Sequence, residues 1–366
     1  ANALTDTAYL ADGGRDAGES PNTSAQFWLG TQLDLEKLAG WDGVNIRAVM
    51  TARQGQSTSI RDLQDPLAPQ MANAQGTFGR GNQESRLTEL SIEKNFKEHG
   101  LSIKAGRLGL GMDFNVMACD FASTAFCAAQ MGKWQGGIWM NTPVSQWGAR
   151  VKQQLNSELA VQVGVYEFNP ENALERHGWN LDTDNADGVT IPAEVVWTPK
   201  SLVNGLPGSY RVGGMYNTAD DPKNQKDIIS GEAEDRTFAG WLAVEQQLTS
   251  TGSGRQGLHS FANFTWHDRV TNKVDNSQQL GLKYIGLVDS QPHDILGLAV
   301  NRVHVNNRIS NPNLDASAEY NIELNYSYSP TKWLMLRPNL QYVINPGSTN
   351  RVDDAVVLGL GSRIIF

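Results

Sequence analysis

Between 319 and 329 the chain reads Glu-Tyr-Asn-Ile-Glu-Leu-Asn-Tyr-Ser-Tyr-Ser. Tyr320, Ile322, Leu324, Tyr326 and Tyr328 fall on one face, and Glu319, Asn321, Glu323, Asn325 and Ser327 on the other. A repeat of two is the signature of a strand with one apolar and one polar side, not of a helix. The pattern returns at 333–344, where Leu334, Leu336, Leu340 and Tyr342 oppose Arg337, Asn339 and Gln341, and again at the carboxyl end, where Val356, Leu358, Leu360, Ile364 and Phe366 share a face. Similar segments, about ten residues each, lie at 26–36, 44–53, 86–96, 101–108, 146–154, 159–167, 188–198, 208–217, 236–248, 257–268, 277–287 and 295–305. Short connections (156–157, 289–294, 329–332) alternate with long ones (54–85, 109–145, 168–187, 303–318), so the two kinds belong to opposite ends of the strands.

One open sheet of this size would leave two edges and a very large apolar face, and closure removes the edges. If the apolar faces point outward into lipid and the polar faces inward, a transmembrane antiparallel β-barrel with a wet lumen accounts for the alternation, the one-sided long loops and the lack of helical periodicity. Single-chain bacterial barrels carry an even number of strands with both ends in the periplasm. That adds a sixteenth strand to the fifteen above, for which Ala3 to Ala11 is the candidate. The expected fold is therefore all-β: one barrel domain over 1–366, with tyrosines at the strand ends forming an interfacial girdle. The competing soluble all-β sandwich would have to bury the same Leu, Ile and Tyr residues.

Composition agrees with a folded membrane barrel. The chain has 366 residues, with 10 Trp, 9 Tyr and 11 Phe, too many aromatics for a disordered segment. A formal charge of −9, with 39 acidic against 30 basic residues and no basic cluster, argues against a nucleic-acid partner. No apolar run reaches the roughly 18–20 residues that a membrane-spanning helix needs. The opening Ala-Asn-Ala-Leu carries no basic-then-apolar leader, so an export signal is either removed or was never there.

Enzyme motifs are missing: His-Glu-x-x-His, Gly-Lys-Ser/Thr of the Walker type and Gly-x-Ser-x-Gly do not occur. Gly106 to Gly111 is glycine-rich but leads into no helix. The six histidines show no ligand spacing, and no cofactor is implied. His267 with Asp268 is the one adjacent pair that a barrel enzyme could use, and no nucleophile accompanies it by spacing. Asp182, Asp184, Asn185 and Asp187 could hold Ca²⁺, but they miss the EF-hand spacing and read as a solvated loop.

The informative residues are charges on the polar faces, because an Arg or Lys turned to lipid near the midplane costs about 2–4 kcal/mol. Arg47, Arg53, Glu89, Glu93, Lys104, Arg150, Lys152, Glu194, Arg211, Glu245, Lys283, Glu323, Arg337 and Arg363 are assigned to the lumen. Rows of both signs suit a neutral polyhydroxylated solute, and of these Arg47, Glu89, Arg150 and Arg211 are the preferred solute contacts, with Glu93 and Glu194 beside them. Their other use is to pair with one another and solvate the wall. Arg107 joins the candidates, although it shares a face with Leu101 and Ile103 unless a bulge shifts the register. In the 109–145 connection, an infolded loop would bring Trp134 and Trp139 to the channel as stacking faces for a sugar, or pack them against the wall. Cys119 and Cys127 there are either a short disulfide staple or two buried thiols.

Several stretches, in the same order, resemble the OprB family of carbohydrate-selective porins: Leu33 to Trp41, the Cys119 to Cys127 segment with Asp120-Phe121, Pro143 to Arg150, Gly164 to Pro170, Asn204 to Gly208 and Gly213 to Ala219. The likeness runs from about residue 26 to the carboxyl end. It implies a 16-stranded outer-membrane barrel for passive uptake of sugars such as glucose. The expected partners are those sugars with outer-membrane lipid and lipopolysaccharide, and the oligomeric state is left open, a homo-oligomer being one alternative. The resemblance also implies that Cys119 and Cys127 are joined in an extracellular loop that shapes the constriction. The amino-terminal segment departs from the family pattern, and the first strand reads as short and polar. Organic acids and other polyols stand as the alternative solutes, and a barrel enzyme or a plugged adhesin as the alternative classes.

Overall fold

The computed structural model describes residues 1–77, 84–127, 129–135, 138–252, 254–309 and 317–366. Sixteen antiparallel strands close into a barrel in sequence order. They are β1 (Asn2–Gly14), β2 (Asn22–Asp34), β3 (Val44–Gly55), β4 (Glu84–Phe96), β5 (Leu101–Leu108), β6 (Gln146–Gln154), β7 (Leu159–Glu167) and β8 (Val189–Trp197), followed by β9 (Gly208–Asn217), β10 (Thr237–Gln247), β11 (Gly257–His267), β12 (Val274–Ile285), β13 (Ile295–Val305), β14 (Ala318–Thr331), β15 (Leu334–Ile344) and β16 (Asp353–Ile365).

The first strand is longer than its sequence suggests. β1 has 13 residues and pairs on both sides, Asn2 with Ile365 of β16 and with Trp28 of β2. Closure leaves no unpaired edge, and the Phe366 amide donates to the Ala1 carbonyl at 3.0 Å, so both termini meet at the short-turn end. β2 starts four residues before the expected 26–36 segment and stops two residues before its end, at Asp34. The Asp34 carboxylate accepts from the Glu36 and Lys37 amides and caps a one-turn helix, α1 (Leu35–Ala39), which Gly40 ends at φ 72°.

Burial along the strands is inverted relative to a soluble protein. In β14 the polar residues Glu319, Asn321, Glu323, Asn325 and Ser327 are buried, while Leu324 is 45% exposed. Leu298 and Val300 of β13, Leu280 and Leu282 of β12 and Leu358 and Leu360 of β16 are likewise exposed, with Asn301 and Gln279 buried on the opposite faces. A soluble sandwich would show the reverse.

Long connections cluster opposite the termini. They include 218–236, a stretch without alternation that the strand pattern does not mark as a long loop. Residues 78–83 and 310–316, parts of the expected 54–85 and 303–318 loops, lie outside the described residues. Two long loops turn into the barrel. Leu110, Phe114, Met131 and Trp139 of the 109–145 loop pack on inward-facing Tyr166, Met215 and Trp241. Phe121, Phe126 and Trp134 of the same loop pack on Phe261, Ala299 and Val303. Leu63 and Ala74, from the loop after β3, pack on Ala8, Leu10, Val343 and Val357. The inner wall thus carries apolar patches where the loops rest.

Candidate functional site

Alternation in β3 to β9 aims a band of charges into the space that the infolded loops leave open. Arg47 Nε lies 3.4 Å from Glu89, whose other oxygen is 3.0 Å from Lys104 Nζ. Arg150 is 2.6 Å from Glu93 and Arg211 is 3.0 Å from Glu194. Asp113, from the 109–145 loop, reaches across to Lys104 at 3.6 Å and Arg150 at 3.8 Å. A cavity of about 790 Å³ beside this band is lined by Glu93, Lys104, Asp113, Arg150, Lys152 and Arg211, and extends toward the short-turn end at Asp34 and Lys97.

Exposure separates the members of this band. The side chains of Arg47, Glu93 and Arg211 remain 43%, 32% and 21% exposed, whereas those of Arg150, Glu89 and Glu194 are 6%, 5% and 0% exposed. Glu194 is saturated: it accepts from the Asn115 amide at 2.9 Å, Trp241 Nε1 at 2.8 Å, Gln162 at 2.8 Å and Arg211. The Trp241 indole reaches it by lying over Gly213, where a Cβ would stand 2.2 Å from Cζ2. Glu194 thus works as the buried anchor of the loop.

Two more buried carboxylates on β14 hold the loops. Glu319 accepts the amides of Met71, Ala72 and Gly347, and Glu323 those of Ala122 and Ser123. Asp120 of the 109–145 loop pairs with Lys283 at 2.8 Å. Burial opposes its ionisation, but the Lys283 charge and hydrogen bond hold its carboxyl below the ordinary value. A disulfide joins Cys119 to Cys127 at the same place.

Three of the candidates that the sequence suggests stand elsewhere. Arg107 is not in the lumen: it lies opposite Leu90 and Trp147 in register, on the outer face. Its guanidinium is buried under the 168–187 loop, donating to the Ser145 carbonyl at 2.7 Å and Asn172 Oδ1 at 3.3 Å, with Glu167 at 3.8 Å. This polar lid is what makes a cation tolerable on that face near the rim. Trp134 and Trp139 are 4% and 1% exposed, and Trp139 lies edge-on to Trp241 at 5.4 Å, so neither ring presents a free face to the lumen.

Elsewhere, His267 is bonded to Gln135 and Thr265 inside the barrel. Asp187 accepts from the Asp220 and Asp221 amides and Asn224, and so ties two long loops together. Among the described residues no group of three or more His, Cys, Asp or Glu is placed to hold a metal. Asp113 is invisible to strand patterning because it lies on a loop, where no period marks orientation.

Comparison with known proteins is consistent along the whole chain. Residues 18–366 match the family model described as carbohydrate-selective porin, OprB family. Porin B of Pseudomonas aeruginosa is 39% identical over 389 aligned residues, covering 99% of this chain and 86% of that protein. The putative porin QuiX of Acinetobacter baylyi is 36% identical, covering 100% and 88%. The high-pH structure of Pseudomonas putida OprB superposes with a TM-score of 0.92 at 39% identity, over 100% of this chain and 93% of that one. The chain belongs to the OprB family of carbohydrate-selective porins, channels of the bacterial outer membrane.

Proposed function

We propose that the solutes are neutral glucose-like monosaccharides, which cross by passive diffusion with no bond made or broken. The observation that carries this reading is the band of alternating acids and bases whose exposed heads are Arg47, Glu93 and Arg211, the last two on the border of the open cavity. Paired opposite charges offer donors and acceptors to hydroxyl groups while leaving little net field to select by charge. Solute contact is thereby assigned to these three, and Arg150, Glu89 and Glu194 orient them. Liposome swelling with glucose against amino acids of similar size tests the reading: glucose enters faster, and equal rates would remove the claim of selectivity. Arg47→Ala slows glucose entry about threefold or more, because a charge-assisted hydrogen bond is lost, and alters KCl conductance less.

A further inference from the structure

A second cavity, about 330 Å³, lies against β1, β2, β15 and β16, beneath the disulfide-closed end of the 109–145 loop. Ligand pockets begin at about this size, and a monosaccharide fits within it. Its lining combines three kinds of group. Trp28 and Phe121 supply rings. Among the described residues, buried Asn2 Oδ1, Trp28 Nε1 and Thr142 Oγ1 have no hydrogen-bond partner, although buried polar atoms are ordinarily satisfied. Lys133, Arg337 and Arg363 supply positive charge.

The carboxylates nearby are otherwise engaged. Asp6, which also lines the cavity, accepts from the amide and hydroxyl of Thr77. Glu323 holds the Ala122 and Ser123 amides, and Asp120 pairs with Lys283. Arg337 donates to Ser327 Oγ at 2.8 Å and to the Phe121 carbonyl at 3.1 Å. Among the described residues, none of the three cations has a carboxylate within ion-pair distance. The first cavity comes near to balance, with four acids against five bases; this one has a surplus of cations beside unsatisfied hydrogen-bonding atoms and aromatic rings.

We propose that this cavity binds sugar acids, polyhydroxy monocarboxylates whose carboxylate meets Lys133 and Arg363 while the hydroxyls take the unpartnered atoms and a ring covers the C–H face. The proposal rests on the sugar-channel reading and adds a second solute class to it. It is tested by titrating gluconate and glucose separately against KCl current through single channels in a planar bilayer. Gluconate half-blocks at a lower concentration than glucose. Lys133→Met and Arg363→Gln each raise the gluconate value about tenfold, about 1.4 kcal/mol, and leave the glucose value within about twofold.

Unchanged KCl conductance in each variant shows that the barrel and its loop are intact. Should one variant fail to insert, the other still decides the question. Equal block by the two solutes in the parent protein overturns the proposal, as does a parallel shift of both in the variants. If glucose itself neither enters liposomes nor blocks current, the sugar-channel reading falls as well. Glucose entry without preferred gluconate block removes only the present inference.

Discussion

At the scale of single residues, the lumen divides into side chains that meet water and side chains that hold the scaffold. Glu194 belongs to the second group: a fully buried carboxylate with three neutral donors and one guanidinium around it. Glu194→Gln removes the negative charge, leaves Arg211 without its counterion and faces at least one N–H with another donor. We expect a loss of about 2 kcal/mol or more in denaturant unfolding from detergent micelles, together with noisier and larger single-channel currents as the Asn115 segment loosens. A drop in stability with unchanged currents would show that Glu194 supports the wall and not the loop.

Lys133 gives a pH signature instead. Burial, with the Arg53 charge close by, pushes its ammonium down to about 8. The group is cationic below that value and loses its proton as pH rises through it. Gluconate block therefore weakens across this range while glucose block holds steady. Lys133→Met flattens the dependence, because the remaining arginines keep their charge.

At the scale of elements, each strand advertises its two environments by alternation, whereas a loop has no period and hides where it folds. The fifteen patterned segments and the weak first strand are legible because lipid and water each demand one chemistry, residue by residue. Entry of the loop after β3 into the barrel is not, and entry of the 109–145 loop is expected from its aromatic residues and the family resemblance, not from any period in the loop. The only trace on the strands is inverted alternation, with Tyr166, Trp241 and Phe261 standing on faces otherwise polar, and such a trace becomes readable once a packing partner is known. The charged band on β3 to β9 follows from alternation; the burial that separates Arg47 from Glu194 does not, since it depends on which loop lies above.

Arg107 shows the register logic most sharply. Alternation places it on the apolar face, and only a bulge would turn it inward; the structure keeps the register and covers the charge with a loop. Gly106 beside it sits at φ 139°, where a Cβ would stand 2.1 Å from the Leu90 carbonyl. Gly106→Ala should cost about 1–3 kcal/mol, from positive-φ strain and displacement of β4, read as a lower midpoint in denaturant. Replacing both cysteines with serine acts differently. Glu323, Lys283 and Arg337 still grip the loop, so the barrel assembles and the change appears in current fluctuations and not in unfolding.

At the scale of the molecule, everything depends on which solvent touches the outer wall. Exposed leucines and valines around the strands are a liability in water and a requirement in hydrocarbon, where sheet closure satisfies every backbone pair. Val300 tests this directly. It lies near the middle of β13, is 40% exposed and is flanked in register by Leu280 on one side and Ile322 on the other. An arginine here has no lumen charge to pair with and lies too deep to reach the interface easily, so Val300→Arg should cost about 2–4 kcal/mol in folding into bilayers. Val300→Leu keeps the surface apolar and should be nearly silent. The measurement is the folded fraction in lipid vesicles across a urea series, followed by the shift in gel mobility between folded and unfolded barrel. Equal midpoints for Val300→Arg and Val300→Leu would mean that this face meets water, and a water-facing wall would leave the barrel's inverted burial with no physical cause.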